Sequence, residues 1–450
     1  MTPQIAKYLQ RAVPRYTSYP TAPHFHDGVD SAAYGSWLSA LDPAKPISLY
    51  LHIPFCRQVC WYCGCHMKLL GTRAQPLTSY LDTLLDEMAL VATALPARMA
   101  VSHIHFGGGT PTVMSGQDLA RVMKTINRHF DVLGDAELAI EADPRTFTDA
   151  MAMWLGALGF NRASFGVQEF DPTVQLAINR VQPPEMVARA VESLRREGVE
   201  KINFDLIYGL PFQTAETLSS TVDAAIAMAP DRIALFGYAH VPWRAKRQRK
   251  IDESALPGPE ARLEQAERAA DALADGGMVP VGLDHFAAPE DPLARAALEG
   301  KLRRNFQGYT TDDAKTLIGL GATSIGRTPS GYVQNTAETG AWARSIALGL
   351  LPVAKGIALS PNDLARAEVI EQLMCGQSAD TAAIARRHGV DPSFAHEPLQ
   401  DLQEMAQEGF LTIDDGKVCM TQAGRPLMRV AAAAFDAYLS ESVGRHSVAV

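Results

Sequence analysis

Between residue 46 and about residue 285, short apolar runs alternate with longer amphipathic stretches, and no other feature restricts the fold as much. The apolar runs read as strands at Ile47–Ile53, Val101–Phe106, Glu137–Glu141, Arg162–Val167, Ile202–Ile207 and Arg232–Tyr238. Helical stretches lie between and after them, near Leu77–Ala94, Gln117–Arg128, Thr148–Leu158, Pro184–Arg196, Ala215–Met228 and Pro259–Ala274. Strands joined through crossover helices build a parallel sheet. Six units are too few to close an eight-stranded barrel, so the expected architecture is α/β, a partial open (β/α)6 barrel.

Sites in such folds lie at the carboxyl ends of the strands. Here the first strand runs into Tyr50 to His66, YLHIPFCRQVCWYCGCH, and the second into Gly107-Gly108-Gly109-Thr110-Pro111. The third ends at Glu141 and the fourth at Gln168; the fifth carries Asp205 and the sixth leads into Ala239-His240. Four of the six cysteines, Cys56, Cys60, Cys63 and Cys65, fall within ten residues as C-x3-C-x2-C-x-C. A disulfide framework would spread its cysteines, whereas crowding suits thiolates on one soft metal centre. Three thiolates can hold three irons of a cubane cluster and leave the fourth iron without a protein ligand. A zinc knuckle is the first alternative, although zinc usually pairs two C-x2-C-like arms and this chain has no second arm. A redox disulfide pair is the other. Cys375 and Cys419 stand alone and read as core or incidental thiols.

The balance of 41 basic against 50 acidic residues, net −9, supplies no global field for nucleic acid or anionic membrane, so any anionic substrate needs local cations. Two basic runs qualify, Lys246-Arg247-Gln248-Arg249-Lys250 and Arg303-Arg304, each also readable as solvated surface. Met1 to Pro20 has no continuous apolar h-region, and no apolar run reaches the roughly 18 residues of a membrane span; a cytoplasmic protein is expected. The first 45 residues, with RYTSYPTAPHFH, show no period, and composition alone makes them a loosely held tail. Residues 279–335 read as long ordered loops, with Gly319 to Gly326 a Gly-rich turn. Ser360 and Pro361 then open helices near Asn362–Cys375, Thr381–Arg387 and Leu399–Glu408, followed by a hairpin around Asp414-Asp415-Gly416-Lys417. Three helices and a hairpin suggest a winged-helix-like module, but no dense basic helix supports DNA binding.

C-x3-C-x2-C after a strand resembles the signature of the radical S-adenosylmethionine (SAM) enzymes. Nearly the whole chain resembles one family of them, the oxygen-independent coproporphyrinogen III dehydrogenases (oxidases). The motifs are YTSYPT at Tyr16 to Thr21, PISLYLHIPFC, HFGGGTPT, IEADPR, FGVQEF, NFDLIYGLP, GYAH, LDHFA, RNFQGYTT and GLGATSI. The resemblance implies a [4Fe–4S] cluster on Cys56, Cys60 and Cys63, with Cys65 not a ligand, and two bound SAM molecules. The first SAM would meet Tyr50, Gly108, Glu141 and Ile325; the second would meet Tyr62, Gly109, Thr110, Gln168, Arg180, Asp205 and Ala239. The chemistry of several of these suits that assignment. Glu141 can accept hydrogen bonds from ribose, Arg180 can pair with a carboxylate, and glycines let backbone approach a ligand.

The same resemblance implies an arm over the active site (1–45), a catalytic domain (46–358) and a mainly helical C-terminal domain (359–450). The implied reaction is decarboxylation of two propionates of coproporphyrinogen III to vinyl groups, giving protoporphyrinogen IX, by a SAM-derived deoxyadenosyl radical, with no acid or base side chain required. A ferredoxin- or flavodoxin-like electron donor and a monomer are expected, without nucleic acid or membrane partners. Two departures stand out: Tyr62 replaces a common phenylalanine, and VPWRAKRQRK at 241–250 is unusually basic. Alternatives are a related radical SAM haem chaperone, a methyltransferase or cyclopropanase and, from another class, an iron–sulfur winged-helix regulator.

Overall fold

The computed structural model of the chain describes residues 7–8, 11–71, 75–376 and 378–439; the extreme ends of the expected arm and C-terminal domain lie outside the described residues. It forms two compact units. One comprises His26–Gly276 and Asp312–Gly356; the other takes the chain up to Phe25, Gly277–Thr311 and the chain from Ile357 onward.

In the larger unit, β1 (Ile47–Ile53), β2 (Ala100–Gly108), β3 (Asp131–Ala142), β4 (Arg162–Gln168), β5 (Lys201–Tyr208) and β6 (Arg232–Gly237) lie side by side in chain order, all parallel. Only Tyr50 breaks the burial of β1, as expected of a strand covered on both faces. The crossovers are α1 (Gln75–Ala94), α2 (Gly116–His129), α3 (Asp149–Ala157), α4 (Pro184–Arg196) and α5 (Ala215–Ala227). Their starts follow local chemistry. Ser115 and Asp118 form a reciprocal capping box before α2, Thr148 and Thr214 cap α3 and α5, and Pro184 opens α4. These are the expected six strands with their helices.

The sheet also continues where irregular chain was expected. Strand β7 (Leu317–Leu320) pairs parallel with β1, and β8 (Ile325–Thr328) and β9 (Gly331–Asn335) add antiparallel, making the sheet mixed. Gly319–Gly326 is therefore the corner between two strands and not a free-standing turn. Strands of four or five residues are too short to show a period. A helix at Ser31–Ser39, capped by Asp30, likewise interrupts the expected irregular arm; it buries only Tyr34 and Leu38.

Inside this unit Glu87 of α1 is fully buried. Its carboxylate accepts from Gly321 N (2.7 Å), Asn335 Nδ2 (2.6 Å) and Trp342 Nε1 (3.2 Å), and burial pushes its pKa up to about 8. Two helical turns before it, Tyr80 OH donates to His52 O at 2.6 Å and accepts from Ala322 N at 3.0 Å. The β7–β8 corner is thus fastened to α1.

The second unit is mainly helical. Ser360 caps the helix Pro361–Met374 through a capping box with Asp363, and Thr381–His388 follows. The single helix expected at Leu399–Glu408 is two short ones, His396–Asp401 and Gln403–Gln407. Leu411–Asp414 and Lys417–Met420 form the hairpin, with Asp415 and Gly416 both at positive φ, as a two-residue type I′ turn requires. Val281, Ala287, Leu293, Leu302, Tyr309 and Cys375 share its core, so Cys375 is a core thiol. The described part of the N-terminal segment up to Phe25 is held here and is not a loose tail. Arg429 Nε donates to Pro14 O (3.2 Å), and Tyr16 OH donates to Asp436 Oδ2 (3.0 Å). Among the described residues no helix is long and apolar enough to cross a membrane.

Candidate active site

Cys56 follows β1 directly, and the loop it opens is pinned from several directions. Gly109 N donates to Ile53 O (2.9 Å), Thr110 N to Phe55 O (2.8 Å) and Trp61 N to Ile178 O (3.0 Å). Arg247 reaches back with Nη1 to Cys65 O (3.1 Å) and Nη2 to Met67 O (3.2 Å). Gln248 Nε2 joins Tyr62 O (2.7 Å) to Ala239 O (3.1 Å), which brings those two expected site residues together.

Each of the three ligand-candidate sulfurs has its own donors. Thr110 Oγ1 points at Cys56 Sγ (3.4 Å), and Cys65 N at Cys63 Sγ (3.4 Å). Arg145 Nη2 and Arg180 Nη1 both lie 3.2 Å from Cys60 Sγ. Asp143 holds the two guanidinium groups, at 2.6 Å from Arg145 and 3.5 Å from Arg180; against its burial, the two cations keep its carboxyl below the usual range. Hydrogen bonding from Cys65 and the charge of Arg247 outweigh burial at Cys63 and bring its thiol down to about 6.

This donor set suits anionic sulfur, and hydrogen bonds to sulfur are one of a protein's means of tuning an iron–sulfur cluster. Among the described residues no three His, Cys, Asp or Glu side chains converge as one ion would require. A cubane takes one thiolate per iron and does not need such convergence. The residues therefore fit a cluster on Cys56, Cys60 and Cys63.

The rim brings the remaining expected residues around the loop. Tyr50 hydrogen-bonds His52 Nδ1 (3.1 Å) and stacks on His105, whose Nε2 meets Glu141 Oε1 at 3.2 Å. Gly108 N donates to Glu141 Oε2 at 3.1 Å. The triglycine is also a packing requirement: a Cβ at Gly108, where φ is +112°, would stand 2.5 Å from the His52 ring, and one at Gly109 would stand 2.6 Å from Phe55 O. Burial brings His52 down to about 4, and its Nε2 is buried without a hydrogen-bond partner. Gln168, at φ +68°, also buries an unpartnered Oε1. A Cβ at Gly166 would touch Gln168 Nε2 (2.6 Å) and Arg180 Nη2 (3.1 Å), and Asp205 lies beside Gly166 in register. Burial first and the charge of Glu141 second push Asp205 up to about 7. Gly319 is in register with Tyr50, and a Cβ there would lie 2.6 Å from Ile325 O, so Ile325 joins the same rim. Tyr62 packs with Trp61 against Val174, Ile178 and Ile251.

Sequence reasoning gave no role to Arg145, although IEADPR was in view, and it offered Arg247 only within a basic run readable either as a substrate-binding cluster or as solvated surface. Arg247 is spent on the loop backbone, while Arg249 and Lys250 are exposed. Arg304, in the other unit, stacks on Tyr309 (4.4 Å) and buries Nε and Nη1 without a hydrogen-bond partner.

Residues 50–225 match the family model of the radical SAM superfamily, and residues 359–427 match that of the HemN C-terminal domain. An oxygen-independent coproporphyrinogen III oxidase of Bradyrhizobium diazoefficiens is 48% identical over 443 residues, 98% of each chain. One from Pseudomonas aeruginosa is 40% identical over 432 residues, 95% of this chain and 93% of that one. The solved structure of coproporphyrinogen III oxidase (HemN) from Escherichia coli, a radical SAM enzyme, superposes with a TM-score of 0.90 at 36% identity, covering 95% of this chain and all of that one. With cysteine loop, rim and end-to-end similarity in agreement, the chain belongs to the oxygen-independent coproporphyrinogen III oxidase family of radical SAM enzymes, which use a [4Fe–4S] cluster and SAM.

Proposed function

We propose that this protein converts two propionate side chains of coproporphyrinogen III to vinyl groups without oxygen, yielding protoporphyrinogen IX. What carries the reading is the intact set of three sulfurs, each with its own donors, in a chain 48% identical along 98% of its length to a protein of that name. Each conversion removes a hydrogen atom from the propionate β-carbon, a carbon dioxide and one electron.

A cluster on Cys56, Cys60 and Cys63 would supply, at an iron free of protein ligands, the electron that divides SAM into methionine and a deoxyadenosyl radical. Two SAM molecules match two propionates. Tyr50, Gly108, Glu141 and Ile325 serve the first. Tyr62, Gly109, Thr110, Gln168, Arg180, Asp205 and Ala239 serve the second, and the unpartnered Oε1 of Gln168 supports a ligand beside it. Glu141 orients ribose hydroxyls while His105 and Gly108 N hold its carboxylate. Arg304, which buries Nε and Nη1 without a hydrogen-bond partner, is the cation we assign to a propionate. Cys65 is not a ligand; its N–H serves Cys63. The enzyme works as a cytoplasmic monomer with a ferredoxin- or flavodoxin-like donor.

Anaerobic incubation of the reconstituted enzyme with SAM, dithionite and coproporphyrinogen III tests this. Deoxyadenosine, carbon dioxide and protoporphyrinogen IX should appear together. Absence of both deoxyadenosine and carbon dioxide sinks the reading, and deoxyadenosine without decarboxylation points to a relative with another substrate.

A further inference from the structure

The most basic stretch of this acidic chain has no part in the chemistry above. Trp243 to Lys250 carries five cations and no anion, against a net charge of −9 for the whole chain. Lys246–Lys250 forms a single short helical turn, from which Arg247 and Gln248 hydrogen-bond the cysteine loop. Arg249 and Lys250 are exposed, and the Lys250 ammonium stands 5.7 Å from the ring centre of Trp61, the residue after Cys60. The two acids that follow are occupied elsewhere. Asp252 accepts from Ser254 N (3.0 Å) and Oγ (2.6 Å), and Glu253 meets His240 Nε2 at 3.0 Å.

The outer side of the same loop is strapped to the chain after β4. Trp61 N donates to Ile178 O (3.0 Å), Asn179 Nδ2 to Val59 O (2.7 Å) and Arg180 Nη1 to Cys60 Sγ (3.2 Å). Beside these bonds two apolar side chains face solvent, Leu176 at 66% and Val181 at 53% exposure, and Arg57 is exposed on the loop itself. Among the described residues Arg57, Arg249 and Lys250 make no ion pair. The segments strapped to the Cys60 loop therefore carry exposed apolar side chains together with cations that have no ion-pair partner among the described residues.

We propose that the surface formed by Arg57, Leu176, Val181, Arg249 and Lys250 is the docking face for a small acidic one-electron carrier protein. The inference rests on the proposed function, which needs an electron from outside. One electron leaves the carrier's flavin or iron–sulfur centre and one enters the cluster; no bond or proton moves. An apolar core with a polar rim is the usual anatomy of a protein interface, and electron-transfer encounters are small, below about 1,200 Å² in total. Cations at the rim steer an acidic partner and raise its association rate in a salt-dependent way, about 10- to 1,000-fold in strongly steered pairs. Trp61, next to Cys60 in the chain and 5.7 Å from the Lys250 ammonium, and Arg180, 3.2 Å from Cys60 Sγ, connect this face to that sulfur.

The test uses the reconstituted holoenzyme with reduced flavodoxin, an acidic carrier, as probe. Binding is measured by titration calorimetry, and cluster reduction by stopped-flow absorbance. In the wild type both should weaken sharply between low salt and about 1 M salt, where the screening length is about 3 Å. The double variant Arg249→Glu/Lys250→Glu and, separately, Leu176→Asp should bind flavodoxin and accept its electron at least about tenfold less well. Cluster reduction by dithionite, which needs no docking, should stay at the wild-type rate in both. Flavodoxin binding that is unchanged in both variants, or a wild-type rate indifferent to salt, overturns the proposal. So does equal competition by a duplex oligonucleotide, which would mark a nucleic-acid surface. If a variant loses iron, the wild-type salt dependence still decides. Failure of wild-type enzyme to form deoxyadenosine even with dithionite would instead remove the proposed function, and this inference with it.

Discussion

Arg145 holds its Nη2 3.2 Å from the sulfur of Cys60, and Asp143 fixes it there through a 2.6 Å ion pair in which both side chains are buried. A cation hydrogen-bonded to a cluster sulfur withdraws electron density and stabilises the reduced form. Replacing Arg145 with Met should therefore make the cluster harder to reduce. We expect an effect on the order of tenfold in the reduced-to-oxidised ratio at fixed potential, about 59 mV for one electron. Redox titration followed by electron paramagnetic resonance measures it. An unchanged midpoint in a variant with full iron content would show that Arg145 only packs.

Glu87 links stability to pH. Its folded pKa of about 8 lies above the ordinary 4.5, so unfolding releases a proton between those values. Its contribution is fully present below about pH 4.5 and fades as the pH rises through 8. At 1.36 kcal/mol per unit the loss is on the order of a few kcal/mol. Urea unfolding of wild type should show this decline from about pH 5 to about pH 8, and Glu87→Gln should lack that component. The variant should also start lower, because Asn335 Nδ2, oriented by Gly321 O at 3.0 Å, would then face an amide that can present a second donor. Parallel pH slopes in the two proteins would contradict the assignment.

Gly109→Ala asks what the triglycine does for the loop. The new methyl group would sit 2.6 Å from Phe55 O and 2.8 Å from Phe55 N, backbone atoms that cannot turn aside. Overpacking of this kind typically costs about 1–3 kcal/mol. The expected result is lower iron content after reconstitution together with a lower melting temperature. Full iron content at an unchanged melting temperature would mean that the loop yields freely.

Arg304→Gln separates binding from turnover. A hydrogen bond to a charged partner is worth about 1.5–3 kcal/mol, so KM for coproporphyrinogen III should rise about tenfold or more with kcat nearly unchanged. Arg304→Lys should fall between, since an ammonium lacks the planar fork. If KM stays put in both, the propionates are held elsewhere.

The six parallel strands and their helices were legible because each strand carries a short apolar run, buried almost throughout in Ile47–Ile53 and at alternate positions in Lys201–Tyr208. The rim was legible because strand ends locate sites in such sheets, which placed Glu141, Gln168 and Asp205 in advance. Strands β7 to β9 were not, being four or five residues long. Glu87 looks like any acid on an amphipathic helix until its partners appear, the nearest 234 residues away along the chain. Arg145 stood inside a recognised motif, yet its sulfur partner lies 85 residues earlier, beyond any local signal. The cations at 241–250 were visible as charge, but only the hydrogen bonds of Arg247 separate the one that braces the loop from those left at the surface.

The fit between Gly109 and the Phe55 backbone has a bearing on engineering. Two segments more than fifty residues apart are cast against each other with no side chain between them, so neither keeps its shape alone. Anyone grafting this cysteine loop onto another parallel sheet would need to move Gly107–Thr110 with it as a single cassette.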